Sequence, residues 1–114
     1  MSDPTIAALQ SALSGLSARQ RAISDNVANL ETPGYLSKQV DFESSLSQAI
    51  AGGDPSQMQI SETRSTAATN LQGNNVNLDQ ENVSLVDTEL RFQLLVNGLN
   101  SKFNILRSSM NKGS

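Results

Sequence analysis

What most restricts the fold of this chain is a pair of long apolar periodicities, one at each end, on either side of a polar middle. Near the N-terminus, Ile6, Leu9, Leu13, Leu16, Ile23, Val27 and Leu30 recur at intervals of three and four, with Gln20 in the one polar slot. An average step near 3.5 residues keeps one stripe turned toward a partner helix, so Pro4 to about Leu30 is expected to form a long helix with a coiled-coil seam. Near the C-terminus, Phe92, Val96, Leu99, Phe103, Leu106 and Met110 step by four and three in the same way, while Leu85, Val86, Leu90, Leu94 and Leu95 widen the apolar face. A helix with two apolar faces implies more than one partner helix.

Local chemistry marks where these helices begin and end. Asp3 before Pro4 is a start signal, because a carboxylate at the N-cap accepts orphan amide hydrogens and proline at the first helical position has none to lose. For the second helix, expected from about Asp79 to Met110, Asp79 as N-cap puts Leu78 and Val83 at the two positions of a hydrophobic staple. Gly15 costs about 1 kcal/mol in a helix interior, so it is expected either to admit another backbone or to mark a bend. Asn97-Gly98 weakens propensity, yet Leu99 resumes in phase and continuity is expected. After the first helix, Pro33 drives Thr32 out of helical geometry, and Pro33-Gly34 suits the centre of a type II turn. Asn26 and Asn29, one turn apart, are placed to donate side-chain amide hydrogens to the carbonyls that the helix end leaves open.

From Tyr35 to Asn75 the composition shifts to Ser, Thr, Gln, Asn and Gly, with a breaker run at Gly52-Gly53-Asp54-Pro55. One short amphipathic helix is expected from Asp41 to Ile50, with Asp41 as cap and Phe42, Leu46, Ala49 and Ile50 on one face. Met58 to Ile60 leaves room for a brief strand, and Ser61 to Gly73 reads as loop or as disordered until bound. The expected fold class is mainly α: long N- and C-terminal helices paired as an antiparallel coiled coil, with a polar, partly disordered middle that carries a short helix and room for a small β element. In residue terms, 1–35 is the N-terminal helix and turn, 36–75 the middle segment with its short helix 41–50 and flexible loop, and 76–114 the C-terminal helix. The two ends together make one structural domain.

Composition removes several function classes. With 114 residues, 37% hydrophobic, 4% aromatic and no Trp, the private core of a monomer is thin and help from neighbours is expected. The chain has no Cys and no His, which removes thiol nucleophiles, thiolate metal sites and the usual general base. Carboxylate pairs such as Glu81 with Asp87, or Asp41 with Glu43, are out of helical phase or lack a pocket-forming apolar run. Gly73-Asn74-Asn75 reads as a turn outside any phosphate-loop pattern. The expectation is a protein that is not an enzyme and takes no cofactor. Eight basic residues against eleven acidic ones, scattered without a patch, argue against nucleic acid and against a polybasic membrane anchor. No run approaches the roughly 20 apolar residues of a transmembrane helix, and the first residues lack a secretory signal pattern. Arg19, Arg21, Glu89, Arg91, Lys102 and Arg107 fall off the seams and read as a solvated face.

The stretch Asn26-Val27-Ala28-Asn29-Leu30-Glu31-Thr32-Pro33-Gly34-Tyr35 resembles the Asn-x-x-Asn-x-x-Thr-x-Gly-Tyr signature of the bacterial flagellar axial proteins, the family of rod, hook and hook-associated subunits. Asn26, Asn29, Thr32, Gly34 and Tyr35 fill its fixed positions. Pro33 before the glycine, and Val40-Asp41-Phe42-Glu43, are similar to the rod members. So is Gly73-Asn74-Asn75-Val76-Asn77-Leu78-Asp79-Gln80-Glu81, the turn that opens their C-terminal helix, although Asn77 stands where they often carry Asp. The resemblance implies a structural subunit of the proximal rod, built into a helical tube that transmits torque, with the middle segment facing outward or bridging neighbours. It implies export through the flagellar type III apparatus without a cleaved signal, to a basal body spanning the periplasm. Early substrates of that apparatus carry a Phe-x-x-x-apolar element, which Phe42 and Leu46 fit; the competing role for both is the buried face of the short helix. Implied partners are other rod subunits and itself, the rod-to-ring adaptor, the membrane-ring protein at the rod base, and the export gate. The alternatives are another short rod subunit or, from a different class, a cytoplasmic coiled-coil adaptor or export chaperone.

Overall fold

Where a short polar side chain precedes a proline, a helix can start at once, and α1 (Pro4–Ala28) does so. The Asp3 carboxylate accepts the Thr5 and Ile6 amide hydrogens at 2.7 and 3.3 Å, as expected of an N-cap. The structure, a computed structural model, describes residues 3–112, so the outermost positions of the expected 1–35 and 76–114 segments lie outside the described residues. α1 ends at Ala28, slightly short of Leu30, because Asn29 already leaves helical geometry. The chain then turns through Thr32 to Tyr35, with Gly34 at a φ of 76° and the Tyr35 amide donating to the Thr32 carbonyl at 3.3 Å. That is the left-handed position a type II turn reserves for glycine.

The middle segment is more ordered than its composition suggests. Strands β1 (Lys38–Asp41) and β2 (Ser61–Arg64) pair antiparallel, with Lys38 opposite Arg64, Gln39 opposite Thr63, Val40 opposite Glu62 and Asp41 opposite Ser61. The strand thus lies after Met58 to Ile60, inside the stretch expected to be loop. All four β2 residues are exposed, so it carries no apolar alternation by which a strand is recognised. Helix α2 (Glu43–Ala51) begins two residues later than expected, since Asp41 is spent on β1; Phe42 takes the cap position without a side-chain cap bond. Ile50 is exposed and leaves the expected face to Phe42, Leu46 and Ala49. A 3-10 turn at Pro55–Gln57, capped by Asp54, returns the chain toward α1, where the Ser11 hydroxyl donates to the Pro55 carbonyl at 3.0 Å.

α3 (Leu78–Lys112) runs unbroken through Asn97-Gly98. Its N-cap is Asn77 rather than Asp79: the Asn77 Oδ1 accepts the Gln80 amide at 3.1 Å, and its carbonyl accepts Glu81 at 3.0 Å. This shift places Asp79 in the first turn and leaves Leu78 and Val83 42% and 71% exposed, so no staple forms between them.

α1 is the element on which the rest is laid, touching α3, β1, α2 and the 3-10 turn. Ala12, Leu16 and Ala22 of α1 bury against Val40 and Phe42, with Met58, Leu46, Phe92 and Leu95 packed around them. The covered face of α1 is therefore rotated from the expected seam toward Ala12, Gly15, Ala22 and Asn26, while Val27 is left 40% exposed. Gly15 explains the rotation: a Cβ there would overlap the Phe42 ring, so the glycine admits an aromatic side chain, not a backbone, and the helix does not end there.

The two long helices pack together, from Lys102 beside Asp3 at 3.2 Å, through Gly98 near Leu9, to Glu81 hydrogen-bonded to Asn26. On α3 the covered positions run Glu81, Leu85, Thr88, Phe92, Leu95, Leu99, Lys102 and Leu106, at intervals of four and three, with Val96 beside this line. Phe92, Val96, Leu99 and Leu106 of the expected seam are half-buried, whereas Phe103 and Met110 are exposed. The cause is length. Lys102 already meets the first turn of α1, so residues 103–112 run about 15 Å beyond it at 1.5 Å per residue. On the side of α3 away from α1, Val83, Val86, Leu90 and Leu94 form a stripe between 57% and 71% exposed. The molecule measures 68 × 26 × 14 Å, and no described helix is long and apolar enough to cross a membrane.

Candidate functional site

The chemistry of this fold gathers where α1 ends and α3 begins. Asn26 sits on the last full turn of α1 and is 1% exposed. Its Nδ2 donates to the Lys38 carbonyl and to Glu81 Oε1, each at 3.0 Å; its Oδ1 accepts the Lys38 amide at 2.8 Å and the Tyr35 hydroxyl at 3.0 Å. A primary amide offers two donors and two lone pairs, and all four are engaged. Toward β1 the side chain behaves as a missing strand neighbour, exchanging a donor and an acceptor with Lys38 as a paired residue would. This corrects the helix-cap role expected for Asn26. Asn29 does take that role, donating to the Asp25 carbonyl at 2.8 Å, while its Oδ1 accepts the Thr32 hydroxyl at 3.0 Å.

The turn that follows is clamped from the other side. Asn74, 3% exposed, donates to the Asn29 and Thr32 carbonyls, both at 2.9 Å. Gly34 donates its amide to the Gln72 carbonyl at 2.8 Å, and a Cβ on Gly73 would come within 3.4 Å of the Gly34 Cα. Two glycines with positive φ thus let two turns touch through their backbones. Asn75 Oδ1 accepts the Ser37 amide at 2.7 Å, and its Nδ2 donates to the Ser65 and Ala67 carbonyls. Tyr35 carries the Arg64 guanidinium over its ring at 5.1 Å. Pro33 is exposed and acts through the conformation it imposes.

Glu81 closes the corner. Only 8% exposed, it accepts Asn26 Nδ2 and, at 2.9 Å, the Ser37 hydroxyl on the same oxygen. Its place in the first turns of α3 sets the carboxylate near the positive end of the helix dipole. Further along α1, Arg19 donates to the Val40 carbonyl at 2.6 and 3.2 Å, pairs with Glu43 at 2.5 Å, and covers the Phe42 ring at 4.9 Å. The Arg19 hydrogen bond holds the Glu43 carboxyl well below the usual range, at about 2. Arg19 and Lys102 are thus structural contacts rather than parts of a solvated face.

The expected site residues separate into two groups. Asn26, Asn29, Thr32, Gly34 and Tyr35 converge in the corner, and Phe42 at the cap of α2 and Leu46 on α2 pack against the core on α1, Phe42 buried and Leu46 half-buried. Leu78, Asp79 and Val83 do not join them. Ser37, Asn74, Asn75 and Glu81 also belong to the corner; the last three fall in the stretch 73–81 that resembles the rod members, but the residue types alone do not assign them these contacts. The available signal for Glu81 was its phase, four residues before Leu85 on the covered line.

Comparison with known proteins decides the family. The pattern that defines a family described as "Flagella basal body rod protein" matches residues 6–35. "Flagellar basal body rod protein FlgB" of Bacillus subtilis (strain 168) is 34% identical over an alignment covering 96% of this chain and 95% of the relative. The chain belongs to the flagellar basal body rod protein FlgB family. Another FlgB protein, from Borreliella burgdorferi, is 30% identical over 72% of this chain and 77% of its own length; one from Escherichia coli (strain K12) is 25% identical over 92% and 91%. In this FlgB-family chain the segment matched by the family pattern is α1 with its turn, which supplies Asn26 and Tyr35 to the corner.

Proposed function

We propose that this chain is a structural subunit of the proximal rod of the flagellar basal body, with its terminal helices paired as an antiparallel coiled coil in a helical tube that transmits torque. Residues 1–35 and 76–114 act on this reading as one structural domain, and residues 36–75 face outward or bridge neighbours. Family membership supports the assignment, and one physical observation carries the mechanism: α3 has an apolar stripe at Val83, Val86, Leu90 and Leu94 on the side away from α1, and exposed apolar residues Phe103, Ile105 and Met110 beyond the end of α1. An isolated chain leaves these in water. At roughly 25 cal/mol per Å² of apolar area, covering them with neighbouring subunits offsets much of the entropy of ordering a long helix. Assembly and completion of the fold are therefore coupled. Partners on this reading are other rod subunits, further copies, the rod-to-ring adaptor and the membrane-ring protein.

Export through the flagellar type III gate precedes folding. Phe42 is 4% exposed in the folded chain, so an element formed by Phe42 and Leu46 is accessible to the gate only before α2 packs. The deciding experiment expresses the tagged chain in a flagellated bacterium whose own FlgB has been deleted. Recovery in purified basal bodies is expected, with Leu90→Glu exported but absent from them. Retention of the unaltered chain in the cytosol would instead fit an adaptor or chaperone and end this reading.

A further inference from the structure

Gly98 stands in the interior of α3 without a conformational or packing need for glycine. Its φ is not positive, unlike those of Gly34, Gly53 and Gly73, and a Cβ built on it lies 3.8 Å from Leu9 Cδ2, an ordinary contact. Alanine fits there and gains about 1 kcal/mol of helix propensity, in contrast to position 15, where the Phe42 ring leaves no room. What glycine does offer is an unhindered main-chain nitrogen next to Asn97. The Asn97 side chain is exposed, and its amide has no hydrogen bond among the described residues. Of all the asparagines in the chain, Asn97 alone precedes glycine.

We propose that Asn97 is a self-modification site, open while the chain is unfolded and closed by the folding of α3. In the open state the Gly98 nitrogen attacks Asn97 Cγ. The new C–N bond closes a cyclic imide, and the side-chain nitrogen leaves as ammonia, taking the hydrogen of the Gly98 amide. Water then adds to either imide carbonyl. Opening at Cγ leaves aspartate; opening at the main-chain carbonyl leaves isoaspartate, whose backbone runs through the side-chain carbons. Folding stops the first step, because the helical ladder commits the Gly98 amide hydrogen to the carbonyl four residues earlier and holds the nitrogen away from Cγ. Asn97 follows Leu94 by three residues, on the line of exposed Val83, Val86, Leu90 and Leu94. Aspartate adds a charge to that line, and isoaspartate lengthens the backbone and interrupts the ladder. A chain that waits unfolded is thereby marked before it packs among neighbours; that consequence rests on the assembly reading above, whereas the chemistry stands without it.

The test ages the full chain at neutral pH in two portions, one folded and one held unfolded in guanidinium chloride. Peptide mass spectrometry, with chromatographic separation of the isomers, follows each asparagine. Asn97 is expected to convert ahead of every other asparagine in the unfolded portion, and about tenfold more slowly in the folded one. After the denaturant is removed, circular dichroism of the aged unfolded portion is expected to show a loss of helix that tracks the isoaspartate formed, while Gly98→Ala, aged alike, keeps both Asn97 and its helix. Conversion no faster than at Asn100 or Asn104, equal rates in the two portions, or the same loss of helix in Gly98→Ala overturns the site. Sedimentation then compares fresh and aged chains. Fresh chains that associate no better than isoaspartate-bearing ones overturn the marking and leave the assembly reading in place, whereas fresh chains that stay monomeric at every concentration overturn self-assembly and the marking together and leave the modification site standing.

Discussion

At the corner between α1 and α3, polar side chains are buried and matched: Asn26 uses its full hydrogen-bonding capacity, and Asn74 and Asn75 tie down two turns. At the far end of the same helix pair the arrangement is reversed, with Phe103, Ile105 and Met110 exposed on ten residues of helix that α1 does not reach. The first region is complete within one chain. The second is left exposed by one chain, and on the proposed assembly reading neighbours cover it. A polar network specifies one geometry because its partners must meet at fixed distances and angles, whereas an apolar face accepts any dry surface of suitable shape. Placing the specific interactions inside the subunit and the adaptable ones at its edges suits a part that must first find its own fold and then pack among neighbours.

The sharpest way to break this comparison is to remove Asn26. Asn26→Leu takes one of the two donors from the buried Glu81 carboxylate and leaves the Tyr35 hydroxyl and the main-chain N–H and C=O of Lys38 without their partner, so urea unfolding of the purified chain should show a loss of about 3 kcal/mol. A loss below about 1 kcal/mol would mean that the corner does not hold the fold. Gly15→Ala comes next. Alanine gains about 1 kcal/mol in helix propensity, but its Cβ lands on the buried Phe42 ring. Overpacking outweighs propensity, and a net loss of about 1–2 kcal/mol is expected in the same assay; a rise in stability would show that Phe42 can move aside. Thr88→Val changes the sign. Thr88 is fully buried on α3 and its Oγ1 has no partner among the described residues, so replacing the hydroxyl by a methyl should raise thermal stability by about 1 kcal/mol. Among the described residues, Thr88 thus marks the one place where a buried side-chain polar atom is not matched, in contrast to Asn26.

How far the fold was readable followed the range over which each signal acts. Asp3-Pro4 and Pro33-Gly34 act within a few residues, and the structure shows the cap and the turn they specify. Asn26 also looks like a cap when read locally, because its partners Lys38, Tyr35 and Glu81 are 9 to 55 residues away. The seam on α3 was legible as a period but not in its membership. Glu81, Thr88 and Lys102 occupy covered positions that an apolar template skips, and Phe103 and Met110 keep the period after the partner has ended. β2 gave no sign, since Ser61 to Arg64 is wholly exposed and its strand geometry comes from pairing with β1 rather than from burial. Local pattern puts Phe42 on a helix face, yet its packing against Gly15 is what turns α1 toward the middle segment.

The smallest expected effect is electrostatic and separates the corner from its surroundings. The Arg19 hydrogen bond lowers the Glu43 carboxyl from 4.5 to about 2 in the folded chain. A depressed carboxylate stabilises the fold fully above its unfolded value and loses that contribution as protons bind, so the window of loss runs from about 4.5 down to about 2. Because the Glu43 side chain is 46% exposed, solvent screening keeps the contribution below about 1 kcal/mol. Other acidic groups titrate nearby, so the measurement is a difference: melting temperatures of the unaltered chain and of Glu43→Gln, taken across that window. The gap should be largest near neutral pH and shrink as the solution is acidified, because the variant has no Glu43 charge to lose. A gap independent of pH would show that the Arg19 side chain serves β1 through the Val40 carbonyl and the Phe42 ring alone, with the ion pair contributing nothing.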